Sequence, residues 1–162
     1  MKLNKLMFRE YDIRGIWNED ITEEISYYIG RAYATKLLSL KKNKMIVGYD
    51  NRLSSPIIEK NLVKGLTDGG VDVVRLGLVT TPMYYYAWDK LDIHCGIMIT
   101  ASHNPKEYNG FKISYNGIHN CFGNEVVELY YIIQNGIYSE GNGSITDANI
   151  KEDYIKMINS HI

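Results

Sequence analysis

Ser102, His103 and Asn104 stand together in Thr100-Ala-Ser-His-Asn-Pro105, with Lys112 a short way downstream and Arg14 near the start of the chain. A serine hydroxyl invites nucleophilic chemistry when a base lies within hydrogen-bond reach. His103 is poorly placed for that role, because adjacent residues on extended backbone project in opposite directions. The Gly-x-Ser-x-Gly turn of serine hydrolases is also absent. The plain alternative is a turn serine, since Ser is an ordinary loop residue. Lys112 alternates with Phe111 and Ile113 and so points off the core face of a strand, a pattern that a solvated lysine also satisfies. Arg14 carries the planar fork suited to phosphate oxygens, and Gly15 beside it lets backbone approach closely. Its rival reading is an ion pair with Asp12 or Glu10. Asn104 reads as a turn residue before Pro105. Arg52, in Asp50-Asn51-Arg52, reads as an arginine that ties down its own loop.

Other chemistries find less support. His94, Cys95, His119 and Cys121 have zinc-ligand side chains, but adjacent His94 and Cys95 project oppositely from a strand start, which argues against a shared metal. No Gly-x-x-x-x-Gly-Lys or Gly-x-Gly-x-x-Gly run points to a nucleotide.

The elements that position these residues follow from periodicity. Phe8 to Ile16 reads as a strand broken into a loop by Arg14-Gly15. Asp20 with Glu23 forms a capping-box pattern, with Thr22 as a rival cap, ahead of a helix whose apolar face runs from Ile21 to Leu40. Met45 to Tyr49 is a short apolar strand of the kind buried between helix layers. Ser54-Ser55-Pro56 opens a helix, with serine as its cap, that stops at Gly69-Gly70. Val71 to Leu76 is a strand, and Thr81-Pro82 starts a helix to about Lys90. Ile97 to Ile99 is the buried strand ahead of Ser102, and Pro105 makes the chain leave the sheet. Asn109-Gly110 offers a turn, Phe111 to Tyr115 a returning strand, and Asn116-Gly117 a hairpin. A helix spans Gly123 to Asn135, a glycine-rich boundary covers Gly136 to Gly143, and a last helix runs from about Asp147 to Asn159. Strands alternating with helices predict a three-layer α/β/α sandwich with a mixed, mostly parallel sheet. Ser102 then lies on a loop at the mouth of that sheet.

The chain has 162 residues, enough for one domain with a sizeable core. A net charge of −1 and 23% charged residues offer no basic surface for nucleic acid and no charge run for a membrane. No apolar run reaches membrane-spanning length, and Met1 to Phe8 lacks the apolar core of a signal peptide. Two cysteines without such a signal point to free thiols and a cytoplasmic location.

Thr100-Ala-Ser-His-Asn-Pro105 followed by Tyr108-Asn-Gly-Phe-Lys112 resembles the active-serine loop of the α-D-phosphohexomutases (phosphomannomutase/phosphoglucomutase). Three further stretches resemble that family's first domain in the same order. They are Phe8-Arg-Glu-Tyr-Asp-Ile-Arg-Gly15, Val47-Gly-Tyr-Asp-Asn-Arg-Leu-Ser-Ser-Pro56 and Thr80-Thr-Pro82. The resemblance implies that Ser102 is a phosphoserine that passes its phosphoryl group to a hexose phosphate and takes one back, through a hexose bisphosphate. It makes His103 a residue that orients the phosphate, and Lys112 a cation near the phosphoryl group and an aid to proton transfer. Tyr11, Arg14 and Asn104 join Lys112 as phosphate-binding residues. The family's Mg²⁺ is held by the phosphoserine oxygen and by three aspartates of an Asp-Gly-Asp-Gly-Asp-Arg loop, which this sequence lacks. Ala101 and Tyr49 depart from residues common in the family, glycine and arginine, without touching a proposed catalytic group.

On this reading residues 1–140 are the catalytic-serine domain, and 141–162 are a linker and helix leading toward a missing second domain. The chain alone is then expected to be inactive. The alternative is a non-catalytic phosphate-binding module of the same fold. The apolar stripe of Ile150, Tyr154, Met157 and Ile158 is expected either to pack back on the domain or to form a weak homodimer.

Overall fold

In the computed structural model, which describes residues 1–162, a six-stranded sheet is covered by helices on both faces. Along the chain come a 3-10 turn (Lys5–Met7), β1 (Ile13–Ile16), α1 (Glu23–Ser39), β2 (Lys44–Tyr49), α2 (Ser55–Asp68) and β3 (Asp72–Leu78). Then follow α3 (Thr81–Lys90), β4 (Gly96–Ile99), β5 (Tyr108–Ser114), α4 (Asn124–Asn135), β6 (Ile145–Asp147) and α5 (Lys151–Asn159). The strand order is β1-β5-β4-β2-β3-β6. Strands β4, β2, β3 and β6 run parallel, while β5 pairs antiparallel with both β4 and β1. The chain therefore builds the expected three-layer α/β/α sandwich with a mixed, mostly parallel sheet.

Side-chain alternation assigns the two faces. Met45, Val47, Ile97, Ile99, Phe111 and Ile113 pack with Ile25, Ile29, Leu37, Ile58, Leu62 and Leu129 of α1, α2 and α4 in the larger core. Ile46, Val74, Leu76 and Met98 face the other way, onto Tyr84, Ala87 and Trp88 of α3 and onto Ile150. Helices α1 and α2 meet backbone to backbone: a Cβ on Gly30 would run into the Leu62 carbonyl, and one on Gly65 into that of Tyr27. Opening that contact by even a methyl group would cost about 1–3 kcal/mol.

Arg14-Gly15 does not break β1. Arg14 pairs opposite Gly110 and Gly15 opposite Asn109. Asn109-Gly110 is accordingly strand rather than turn, because the Ile13 carbonyl fills the space where a side chain on Gly110 would lie. Asn109 is buried and donates its amide to the hydroxyls of Ser54 and Ser55. Thr22, not Asp20, caps α1 by accepting the Ile25 N–H at 3.1 Å. The Asp20 carboxylate instead accepts from the Ile16 N–H and the Asn4 amide. Ser54 makes no cap bond to α2, since its backbone is already helical and its hydroxyl serves Asn109.

Gly117 takes the left-handed φ of 69° that a turn needs, but the chain then passes through a loop into α4 rather than returning as a strand. Beyond Gly136 the chain adds β6 in parallel to β3, so the last helix starts at Lys151 rather than Asp147. Ile150 is only 2% exposed, Tyr154 meets Tyr86 at 5.4 Å between ring centres, and Ile158 stays exposed. The tail packs back on its own domain through the first of these residues.

Candidate active site

The loop between β4 and β5 leaves the carboxyl end of β4, beside the parallel strands β2 and β3. Ligands commonly bind at that edge of an α/β sheet. Ser102 is exposed there with φ of 53°. A left-handed backbone costs a non-glycine residue about 1–2 kcal/mol, so something must hold it. Within the loop, the Ser102 N–H donates to Thr100 Oγ1 and the Asn104 N–H to the Ala101 carbonyl, each at 3.1 Å.

Arg52 supplies the rest. Its Nη1 donates to the carbonyls of Pro105 (2.7 Å) and Tyr108 (3.0 Å), and its Nη2 to those of Ser102 (3.0 Å) and Asn104 (2.8 Å). Asp50 fixes the guanidinium through Nε at 3.5 Å and in turn accepts the Ser55 hydroxyl at 3.0 Å. Arg52 is thus tied into its own loop through Asp50, as expected, and reaches well beyond it. It clamps the serine loop, which is far away in sequence.

Ser102 forms one wall of an open cleft of about 540 Å³, together with Tyr11, Asp12, Arg14, Lys112 and the segment His119–Phe122. Tyr11 is 71% exposed at its rim. Arg14 donates to both the Asp12 carboxylate and the Asn104 side-chain oxygen. Its ion pair with Asp12 and its place in the cleft thus coexist. Lys112, opposite Met98 on β4, is half-buried and makes no ion pair. Asn104 lies outside this cleft but anchors Arg14, while His103 is exposed beside Ser102 and does not line it. On the other side of the loop, Asp50 to Leu53, Ser102, Asn104 and Lys106 line a second cleft of about 430 Å³. Sequence reasoning named Asp12 only as a rival partner for Arg14, and it missed the reach of Arg52 and the His119–Phe122 wall, which depend on contacts between segments distant in sequence.

Two cations against one carboxylate leave the Ser102 cleft positive, which suits an anion. Cys121, also in its wall, is no nucleophile: burial, aided by Glu125, pushes its thiol up to about 12. The Cys95 thiol, likewise raised by burial, donates to the Tyr115 carbonyl, and His94 pairs with Asp92. No three His, Cys, Asp or Glu side chains gather to hold a metal ion, and the one carboxylate in the cleft is engaged by Arg14. The residues present do not fit a divalent-cation site by themselves. No helix is long and apolar enough to cross a membrane.

Fold and site together define a three-layer α/β/α domain that presents a strained serine and two cations at the carboxyl edge of its sheet. The profile described as "Phosphoglucomutase/phosphomannomutase, alpha/beta/alpha domain I" matches residues 5–135. Over 157 residues, 96% of this chain and 33% of the relative, the sequence is 41% identical to a phosphomannomutase/phosphoglucomutase of Pseudomonas syringae pv. tomato. It is 40% identical to a phosphoglucomutase of Neisseria meningitidis serogroup B, with 96% of the chain covering 34% of that protein. A crystal structure of a phosphoglucomutase/phosphomannomutase family protein from Burkholderia thailandensis superposes with a TM-score of 0.94 at 31% identity, over 99% of this chain and 37% of that one. The chain belongs to the phosphoglucomutase/phosphomannomutase family and corresponds to its domain I. It spans about a third of the length of the curated relatives it matches.

Proposed function

We propose that this domain carries the phosphoryl donor of a phosphohexomutase, an isomerase that interconverts hexose 1- and 6-phosphates such as those of mannose or glucose. The observation that carries the reading is Ser102, held exposed at φ 53° beside Arg14 and Lys112. Phosphoryl transfer asks mainly for in-line positioning and charge neutralisation, and a strained, clamped loop supplies the first. A phosphate on Ser102 Oγ would carry about −1.5 to −2 charge, which Arg14 and Lys112 offset. In the forward step the Oγ–P bond breaks and a sugar hydroxyl oxygen bonds to phosphorus; the hydroxyl proton passes to solvent, and the departing Ser102 Oγ takes up a proton, for which the Lys112 ammonium is the nearby donor. The return step uses the phosphate at the other end of the hexose bisphosphate and restores phosphoserine. His103, Asn104 and Tyr11 are proposed as phosphate-orienting residues, with Asn104 acting through Arg14.

The metal and the sugar are a different matter. Mg²⁺ would need carboxylate ligands from outside these residues, and hexose recognition would need further surface. The chain alone is therefore expected to show no useful turnover, residues 141–162 being the approach to a following domain. A coupled assay tests the reading, using a chimera in which this chain replaces the matching first third of the Pseudomonas syringae relative. Turnover that Ser102→Ala abolishes is expected. Turnover that survives Ser102→Ala would overturn the phosphoserine, and robust turnover by the chain alone would overturn the need for other domains.

A further inference from the structure

The His119–Phe122 wall of the Ser102 cleft has a composition that phosphate binding does not explain. Phe122 lines it and is 52% exposed, an apolar ring left in water on the same cleft as two cations. The ring of His119 lies 5.8 Å away, tilted by 48°. The segment that carries them is pinned from several sides. Ser114 Oγ donates to the His119 carbonyl at 2.9 Å, and the Cys121 N–H to the Ile113 carbonyl at 2.6 Å. The Asn120 amide donates to the Tyr85 hydroxyl at 2.7 Å, and the Gly123 N–H to the Glu10 carbonyl at 2.6 Å. With the backbone on both sides of Phe122 already held, less ordering remains to be done when a ligand covers its ring, which favours binding.

We infer that Phe122 is a specificity residue that stacks on the apolar C–H face of the sugar whose phosphate is held by Arg14 and Lys112. The inference rests on the phosphohexomutase reading of this cleft. The cleft volume of about 540 Å³ falls in the range of small-molecule sites and suits a hexose phosphate rather than a polypeptide. A pyranose is amphipathic. Its hydroxyl edge seeks polar groups, while its C–H face gains by covering an aromatic ring. Covering about 40 Å² of apolar surface is worth about fivefold in affinity.

The test is an NMR titration of this chain with α-D-glucose 1-phosphate and, separately, with inorganic phosphate, for wild type, Phe122→Ala and Phe122→Tyr. Phe122→Ala is expected to weaken the sugar phosphate about fivefold and leave inorganic phosphate unchanged, with Phe122→Tyr restoring the difference. If Phe122→Ala binds both ligands as wild type does, the stacking role is wrong while the cleft reading stands. Equal weakening of both ligands makes Phe122 merely structural and also overturns the inference. If neither ligand shifts amides of residues 100–104 in the wild type, the cleft reading itself fails and takes the inference with it.

Discussion

Replacing Arg52 by alanine removes the clamp on the Ser102 loop, and its consequence can be worked from the bonds. Of the four carbonyls Arg52 serves, those of Ser102 and Pro105 are bound on the solvent side and would regain water. The bonds to Asn104 and Tyr108 are half-buried, with the guanidinium only 11% exposed. Two such charge-assisted bonds at about 1.5 kcal/mol each give about 3 kcal/mol for opening the loop. The left-handed strain at Ser102 then favours opening, opposed only by the two bonds within the loop. About 3 kcal/mol corresponds to about 150-fold faster hydrogen exchange at the Ser102 and Asn104 amides, whose bonds to Thr100 Oγ1 and the Ala101 carbonyl report the loop. Arg52→Lys should behave nearly as badly, because an ammonium lacks the fork that reaches four acceptors. The amides pairing β3 with β6, at the far edge of the sheet, serve as the internal control. Unchanged exchange at both loop amides in Arg52→Ala would refute the clamp.

Ser102→Gly should raise stability by about 1 kcal/mol relative to Ser102→Ala in urea denaturation, because only glycine takes φ of 53° freely; equal midpoints would remove the strain argument. Glu59 is 8% exposed, and burial raises its pKa from the ordinary 4.5 despite the Arg75 charge. The fold then holds that proton more tightly than the unfolded chain, so this group costs stability as pH rises from about 4.5 through its raised value. Glu59→Gln should gain on wild type between pH 4 and pH 7, and a gap that stays constant with pH would contradict this. Ending the chain after Gly143 uncovers the face that Ile150 covers and removes β6 with the Arg75–Asp147 pair. A loss of about 3 kcal/mol should lower Tm by about 6–12 °C, read by calorimetry, whereas an unchanged Tm would mean that the tail does not dock.

How much of this was legible in the sequence depended on whether the deciding contact was local. The helices and the parallel strands β2, β3 and β4 follow from periodicity, and Thr80-Thr-Pro82 and the apolar runs around Ile46 and Ile97 announce their elements directly. Asn109-Gly110 misleads because the dipeptide is a strong turn signal, yet here it is a glycine required by the Ile13 carbonyl across the sheet. Thr22 outcompetes Asp20 as a cap because Asp20 is claimed by the Ile16 N–H, four residues back. Strand β6 has three exposed residues and no alternation to reveal it. In the site, Ser102, Arg14 and Lys112 were readable by type and by motif. The bond from Arg14 to Asn104, the Arg52 clamp and the Phe122 wall join residues 50 to 100 positions apart or across an irregular loop. No local pattern encodes them.

The central claim is that Ser102, Arg14 and Lys112 form one anion-accepting cleft. Titration of the ¹⁵N-labelled chain with inorganic phosphate tests it most directly. The account predicts weak, saturable shifts at amides of residues 100–104, with affinity lowered about tenfold in Lys112→Ala, as expected for one charge-assisted contact. Shifts confined to the separate cleft lined by Arg75 and Lys151, with residues 100–104 unmoved, would contradict it.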